Sequence, residues 1–460
     1  MKSDFVRKES LLVDIRRNLP LLMIICFLSQ MGGFMILPLF PLFIEEFGLS
    51  GWMMGVIFAL FYVGKVIGGV PAAALYRKLG GKKALVVMLF VLAVCMGGFA
   101  VASAAYLFGL LRLLQGLAST GLTVIVRSII GDGGNTDNRG LYNGYISSSE
   151  GGGMVLGPVI SGWLALHWPL SVPFLLVTVC CLMAMGTAMG MKTRLGSDQP
   201  SEHIGRKHPS GSDLGTASNM AVEHAHAIKL PSSATDDTAV NNTAVNDMVT
   251  ASPTSTSVSP AHNAPSSFTG LTRRQQLIGY GTVHFLEMSA YAVFLTYFAL
   301  YAAHIMHWDP FATSLAFTVA GISTLAAAPA AGYLSDRMGD RLLLCMFGML
   351  MIGIEVIVFL STSSYVWVYV GMLIGGVGGA CYMDSFFAHI GDHIPDTGRS
   401  EVIGKIVSAA EIGSIVSPLI AALLVEYISL YAVFVFNLVL IAAAIAVQAG
   451  MRSRYRSKQG

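Results

Sequence analysis

The chain has 460 residues, of which 54% are hydrophobic and only 12% charged, with a mean hydropathy of +0.66. A soluble chain of this length carries roughly twice that charged fraction, so a soluble globular fold is excluded and an all-α polytopic membrane protein is expected. The net charge of +2, from 28 basic and 26 acidic residues, gives no ground for nucleic-acid binding.

Residues 1–18 are polar and basic, and read as an N-terminal arm. Apolar spans follow at about 19–44, 52–76, 84–103, 106–130, 140–166 and 169–191. The first is too long for a signal-peptide core and has no small-residue cleavage site after it. The stretch 192–273 is rich in Ser, Thr, Ala, Asn and His and almost free of aromatics. It cannot bury enough apolar surface to fold, and is expected to be a disordered linker. A second set of spans runs at about 275–304, 310–334, 341–361, 364–391, 400–426 and 429–450, and 451–460 is a basic tail. The expected organisation is twelve transmembrane helices in two six-helix bundles, 19–191 and 274–450.

Apart from Lys65, Arg112 and Arg127, every Lys and Arg lies in or beside the termini, the linker, or the connections near 77–83, 139, 337–341 and 399–405. The alternate connections carry none. By the positive-inside rule both termini and the linker are expected on the cytoplasmic side of the cell membrane. The six cysteines all fall in apolar stretches, without metal or disulfide spacing.

The halves repeat. At an offset of 260, Gly131-Asp132 matches Gly391-Asp392, Arg139 matches Arg399, Gly144 matches Gly404 and Pro158 matches Pro418. At 257, Gln30-Met31 matches Glu287-Met288. Duplicated six-helix halves with a site between them are the architecture of a rocking carrier.

Three motifs then carry a resemblance over both halves. GYLSDRMGDR (Gly332 to Arg341, with Asp336, Arg337 and Gly339) resembles the loop signature of the major facilitator superfamily. RLLQGLASTG (Arg112 to Gly121) resembles its span-4 signature in proton-coupled members. GMVLGPVISG (Gly153, Gly157, Pro158 and Gly162) is similar to the span-5 signature of the 12-helix drug:proton antiporters. In the first half the loop departs from the pattern, because Arg77 stands where Asp336 stands in the second. The resemblance implies the major facilitator fold, a monomer in the bilayer, a small-molecule substrate, and a proton gradient in place of a cofactor.

Charged side chains within spans are costly and are functional candidates by default. Glu287 lies near the middle of span 7, a cavity-lining helix in the family, and is suited to exchanging protons. Glu150 in span 5 and Glu411 in span 11 are near symmetry mates, one residue out of register. Arg112 is expected to act on a nearby carboxylate, with Gln115 one turn on. Lys65 can neutralise a cavity acid or meet an anionic group. Gln30, Tyr62, Tyr291 and Tyr297 complete the expected cavity wall. Glu355, on a span that is peripheral in the family, is expected to be structural, and His284 to be hydrogen-bonded. Gly157-Pro158 facing Ser417-Pro418 is the expected extracellular gate. No nucleotide loop, metal set or hydrolase motif appears. The function expected is proton-antiport export of an amphipathic or zwitterionic organic compound, drug-like or a metallophore. Proton-coupled uptake of a nutrient or metal chelate, and a non-transporting sensor or scaffold on the same fold, are the alternatives.

Overall fold

Hydrocarbon offers no water to a backbone N–H or C=O, so a crossing segment closes its own hydrogen bonds as a helix. The computed structural model describes residues 15–49, 51–133, 139–192, 273–393 and 399–456, and all regular structure among them is helical. The N-terminal half contains α1 (Ile15–Ile36), α2 (Phe40–Glu45), α3 (Gly51–Val101), α4 (Ala105–Gly133), α5 (Arg139–His167) and α6 (Ser171–Gly190). The C-terminal half contains α7 (Arg273–His304), α8 (Pro310–Arg337), α9 (Arg341–Ser361), α10 (Tyr365–His393), α11 (Arg399–Tyr427) and α12 (Leu430–Arg456). The expected linker and the outer parts of both termini lie outside the described residues.

Ten of these helices are long and apolar enough to span. Counting the 51-residue α3 as two crossings, and adding α5, whose Gly- and Ser-rich sequence falls short of that hydropathy, gives the expected twelve. α1 and α2 together make the first crossing, and α4 to α12 are the fourth to the twelfth. The connection expected at 77–83 is itself helical and is broken at a single residue, Gly80, whose φ of 76° favours glycine. We call the face holding the start of α1 and the end of α12 the terminal face, and the opposite one the distal face.

Helices gain little from hydrophobic burial against lipid tails, so they associate through close packing at small residues. In the N-terminal half α3 packs on α4 and α6, and α1 on α5 and α6. At the α3–α4 crossing a Cβ on Gly64 would run into the Leu113 carbonyl, and one on Gly116 into the Phe61 carbonyl. In the C-terminal half α7 packs on α11 and α12, α8 on α10, and α9 on α10 and α12. There Gly348 of α9 and Gly378 of α10 meet backbone to backbone.

The halves join along two seams related by the repeat, α3 against α11 and α5 against α8. The seams are tightest toward the distal face. A Cβ on Gly55 would overlap Ala422 and come 2.7 Å from the Pro418 carbonyl, and one on Gly162 would lie 2.6 Å from Ser314 Cβ. Thr318 Oγ1 donates to the Val155 carbonyl at 3.2 Å, and His304 pairs with Glu45 at 2.8 Å. On the terminal side α4 and α10 make no substantial contact among the described residues. Val70 of α3 and Tyr333 of α8 are exposed there. Among the described residues the close contacts between the halves concentrate toward the distal face.

Overpacking a tight helix crossing costs on the order of 1–3 kcal/mol. Gly116→Leu should therefore lower the thermal midpoint of the detergent-solubilised chain. Gly69→Leu, whose Cβ position meets nothing within 4 Å, should melt like the parent. Fluorescence-detected size exclusion after heating reads both, and equal melting of the two variants would refute the close crossing.

Candidate functional site

Near mid-depth of the C-terminal half, a cavity lies between α7, α8, α9, α10 and α12, roofed by Phe34 of α1 and Met154 of α5. It encloses about 140 Å³, room for several waters at roughly 10–15 Å³ each. Its walls are aromatic and small: Tyr291 and Phe294 from α7, Phe317 from α8, and Gly375, Gly376 and Gly379 from α10. Two carboxyl groups enter it, Glu287 from α7 and Glu355 from α9, and no Lys or Arg lines it.

Glu287 is buried at 7% exposure. Its Oε2 lies 3.2 Å from His284 Nδ1 one turn earlier, but in an orientation that makes no hydrogen bond, so this oxygen has no donor. His284 is held between the Phe386 ring, 5.3 Å away, and the Tyr382 hydroxyl at 3.5 Å. Asn437 Nδ2 donates to the Ala290 carbonyl at 3.1 Å and fixes α12 against the same turn of α7. A carboxylate with an unfilled acceptor in an apolar cavity is a receptor for a proton or a cation.

Two other pairs of intramembrane ions are matched to each other. Arg127 of α4 reaches Glu150 Oε2 of α5 at 3.1 Å, and also donates to Asn143 at 2.8 Å and Ser147 at 3.2 Å. This cluster lies wholly inside the N-terminal half. Lys65 of α3 reaches Glu411 Oε1 of α11 at 3.1 Å, across the seam between halves, with its ammonium 5.6 Å from the centre of the Tyr62 ring. The one-residue register shift between the two acids thus separates their partners, one within a half and one between halves.

Arg112 differs from its expected role. It is 3% exposed, and among the described residues it pairs with no carboxylate. It donates to Gln115 Oε1 at 3.1 Å. Its guanidinium lies 3.6 Å from the Phe40 ring centre and 4.7 Å from that of Phe58. Cation–π contacts of this desolvated kind are worth about 2 kcal/mol. Tyr297 is not in the cavity either, since its hydroxyl donates to the Pro418 carbonyl at 3.1 Å beside Gly55 at the distal end of the seam. Gln30 packs against Gly153, a Cβ there coming 3.3 Å from Gln30 Cβ. Of the named cavity residues, Tyr291 alone lines the space with Glu287.

The glycine motif of α5 serves two purposes. A Cβ on Gly153 or Gly157 would strike the α1 backbone at Phe27 or Met31, within the same half. The expected opposition of Gly157-Pro158 to Ser417-Pro418 is therefore corrected: Gly157 packs on α1, and Gly162 makes the contact across the seam. At the α8–α9 loop Arg341 links Asp336 at 3.2 Å and Asp392 at 2.8 Å. Arg337 lies 4.6 Å from the Tyr333 ring centre, and Gly332 and Gly339 have open space about them. In the first half, where Arg77 replaces the motif aspartate, Lys82 Nζ instead donates to the Met191 carbonyl at 2.9 Å.

Residues 22–245 and 280–458 match the profile of the Major Facilitator Superfamily. The chain belongs to this superfamily. It is 24% identical over 189 residues to multidrug resistance protein 2 of Bacillus subtilis, covering 41% of this chain and 45% of that protein. It is 27% identical over 139 residues to the quinolone resistance protein NorA of Staphylococcus aureus, covering 30% and 36%. The matched stretch thus spans less than half the length of these curated relatives. Among solved structures, a bacterial homolog of the human lysosomal transporter Spinster superposes with a TM-score of 0.69 at 12% identity, over 96% of this chain and 98% of that one. The nucleoside transporter NupG superposes at 0.65 and 9%, over 95% and 98%. The major facilitator fold of two six-helix halves accounts for both seams.

Glu355 is the cavity residue that sequence reasoning assigned elsewhere. Its signal was present, as an acid inside one of the most apolar helices, with a mean hydropathy of 2.6. Its direction, set by the glycines of α10, was not legible.

The Lys65–Glu411 pair bridges the halves. Removing it with Glu411→Gln should raise the rate at which a Ser314→Cys thiol reacts with a membrane-impermeant maleimide by roughly two- to tenfold. The native cysteines are buried and give a low background. Glu150→Gln, which breaks a pair inside one half, should leave that rate unchanged. Equal rates in the two backgrounds would show that the pair does not hold the halves together.

Proposed function

We propose that this chain is a secondary transporter that exports cationic amphipathic organic compounds in exchange for protons. It works as a monomer in the cell membrane, with its terminal face toward the cytoplasm. The observation that carries this reading is Glu287: a buried carboxylate with an unfilled acceptor, in an aromatic cavity with no Lys or Arg in its lining. The likeness to a multidrug resistance protein and a quinolone resistance protein supports export of organic compounds. The distribution of Lys and Arg supports the orientation. A zwitterionic metallophore is less well supported, because Lys65, the cation that would receive its acidic part, is engaged by Glu411.

In this reading a cation from the cytoplasm and a proton compete for one carboxylate. With the cavity open to the terminal face, ionised Glu287 holds the positive group while Phe34, Phe294 and Phe317 take the apolar body. Rocking about the α3–α11 and α5–α8 seams then exposes the cavity distally. A proton from outside neutralises Glu287 and removes the attraction, and the neutral carrier returns. One proton in for one monocation out moves no net charge, so the pH difference is what drives the exchange, at about 1.4 kcal/mol per pH unit. Arg127–Glu150 stiffens the N-terminal half, and Lys65–Glu411 is remade at each return. Arg112, caged by phenyl rings, positions α4 against α2.

The test is flux of tetraphenylphosphonium in proteoliposomes with an imposed pH gradient, the full-length chain being oriented with its terminal face outward. The gradient (acid inside) should accelerate uptake into the vesicle, and Glu287→Gln should abolish that acceleration. If the gradient leaves flux unaltered and Glu287→Gln transports like the parent, the proton-antiport reading is wrong. Stimulation by the opposite gradient would instead establish symport.

A further inference from the structure

Glu355 is placed where a peripheral structural residue has no reason to be. It is 8% exposed, enters the same cavity as Glu287, and makes no hydrogen bond or ion pair among the described residues. The backbone of α10 is shaped around it. Gly371, Gly375 and Gly378 form one face of α10 toward α9, and a Cβ on Gly375 would occupy the space that holds the Glu355 carboxyl. A packing device would need neither the acid nor the gap. Both together aim an unpaired carboxyl from α9, past α10, into the cavity.

The groups facing it sharpen its chemistry. From α7 come Glu287 and Tyr291, the other titratable groups of the lining. α8 presents Phe317 and Thr324, α10 presents glycines and Met383, and α12 presents Asn437. No Lys or Arg lines the cavity, and the basic group beside Glu287 is the His284 imidazole, 3.2 Å away. Two ionised acids in one low-dielectric space repel each other. From the proton-loaded carrier, in which both acids are neutral, a monocation displaces one proton and leaves the second in place, and a dication displaces both.

We infer that Glu355 is a second substrate-binding carboxyl, which gives up its own proton to receive the second positive charge of dicationic amphipathic compounds. The inference rests on the reading that Glu287 exchanges a proton for a cation, and it adds a charge-selective site to it.

The test measures binding and proton release together, with the full-length chain in detergent at weakly buffered neutral pH. Dequalinium serves as the dication and tetraphenylphosphonium as the monocation. The parent should release more protons per dequalinium than per tetraphenylphosphonium. Glu355→Gln, which keeps the shape of the side chain, should weaken dequalinium binding by roughly tenfold or more and lower its proton release to the monocation value. Its tetraphenylphosphonium affinity should stay within about twofold. A thermal midpoint equal to the parent's verifies that the variant folds. Parental affinity and proton count for dequalinium in Glu355→Gln would overturn the inference, as would equal weakening of both probes. Absence of proton release from the parent with either probe would instead overturn the coupling assigned to Glu287, and this proposal with it.

Discussion

A charge in hydrocarbon must be paired, caged or put to use, because leaving it stranded costs several kcal/mol. That constraint sorts the interior ions of this chain into three kinds. Arg127 with Glu150, and Lys65 with Glu411, are paired at 3.1 Å. Arg112 is caged by phenyl rings, at 3.6 Å from the nearest centre. Glu287 has only the His284 imidazole beside it, at 3.2 Å, Glu355 has no ionic partner among the described residues, and both line the one cavity with aromatic walls. The paired ions build the N-terminal half and the contact between halves, Arg112 keeps two guanidinium nitrogens without a hydrogen-bond partner among the described residues, and the two remaining acids line the cavity.

Small residues do the complementary work. In a bilayer the gain from bringing helices together comes from close contact, so backbone-to-backbone approach decides which helices are neighbours. Gly64 and Gly116 bring α3 onto α4, Gly153 and Gly157 bring α1 onto α5, and Gly348 and Gly378 bring α9 onto α10. Gly55 and Gly162 are used differently, at the distal ends of the two seams. The same residue type thus makes contacts inside a half and contacts between halves, and what distinguishes them is which helix lies opposite.

That distinction also marks how far the sequence could be read. Span number, the 260-residue repeat and the superfamily were legible, because hydropathy, charge asymmetry and motif spacing are properties of single segments. Partners were not. The α5 motif was visible as a run of glycines, yet whether Gly157 met α1 or α11 depended on the rotation of α5 about its axis. Glu150 and Glu411 were seen to be one residue out of register, but not that the shift would send one acid to its own half and the other across the seam. Arg112 was expected to meet a carboxylate and meets phenyl rings, because the short α2 that carries Phe40 folds over it. Glu355 was assigned by the usual position of its helix, when the gap at Gly375 decides where its carboxyl goes.

The terminal-face joints of the two halves are built from different materials. In the N-terminal half, the second and third crossings are one helix with a single-residue break at Gly80, and Lys82 ties that joint to a backbone carbonyl of residue 191. In the C-terminal half, α8 and α9 are separate helices held by side-chain ions: Arg341 to Asp336 and Asp392, and Arg452 to Asp340. Asp336 is 74% exposed, so these attractions are open to screening by dissolved salt, whereas a continuous backbone is not. Ionic strength at that face therefore acts on one half of an otherwise symmetric pair, slackening the joint that carries the Glu355 helix and leaving its mate stiff.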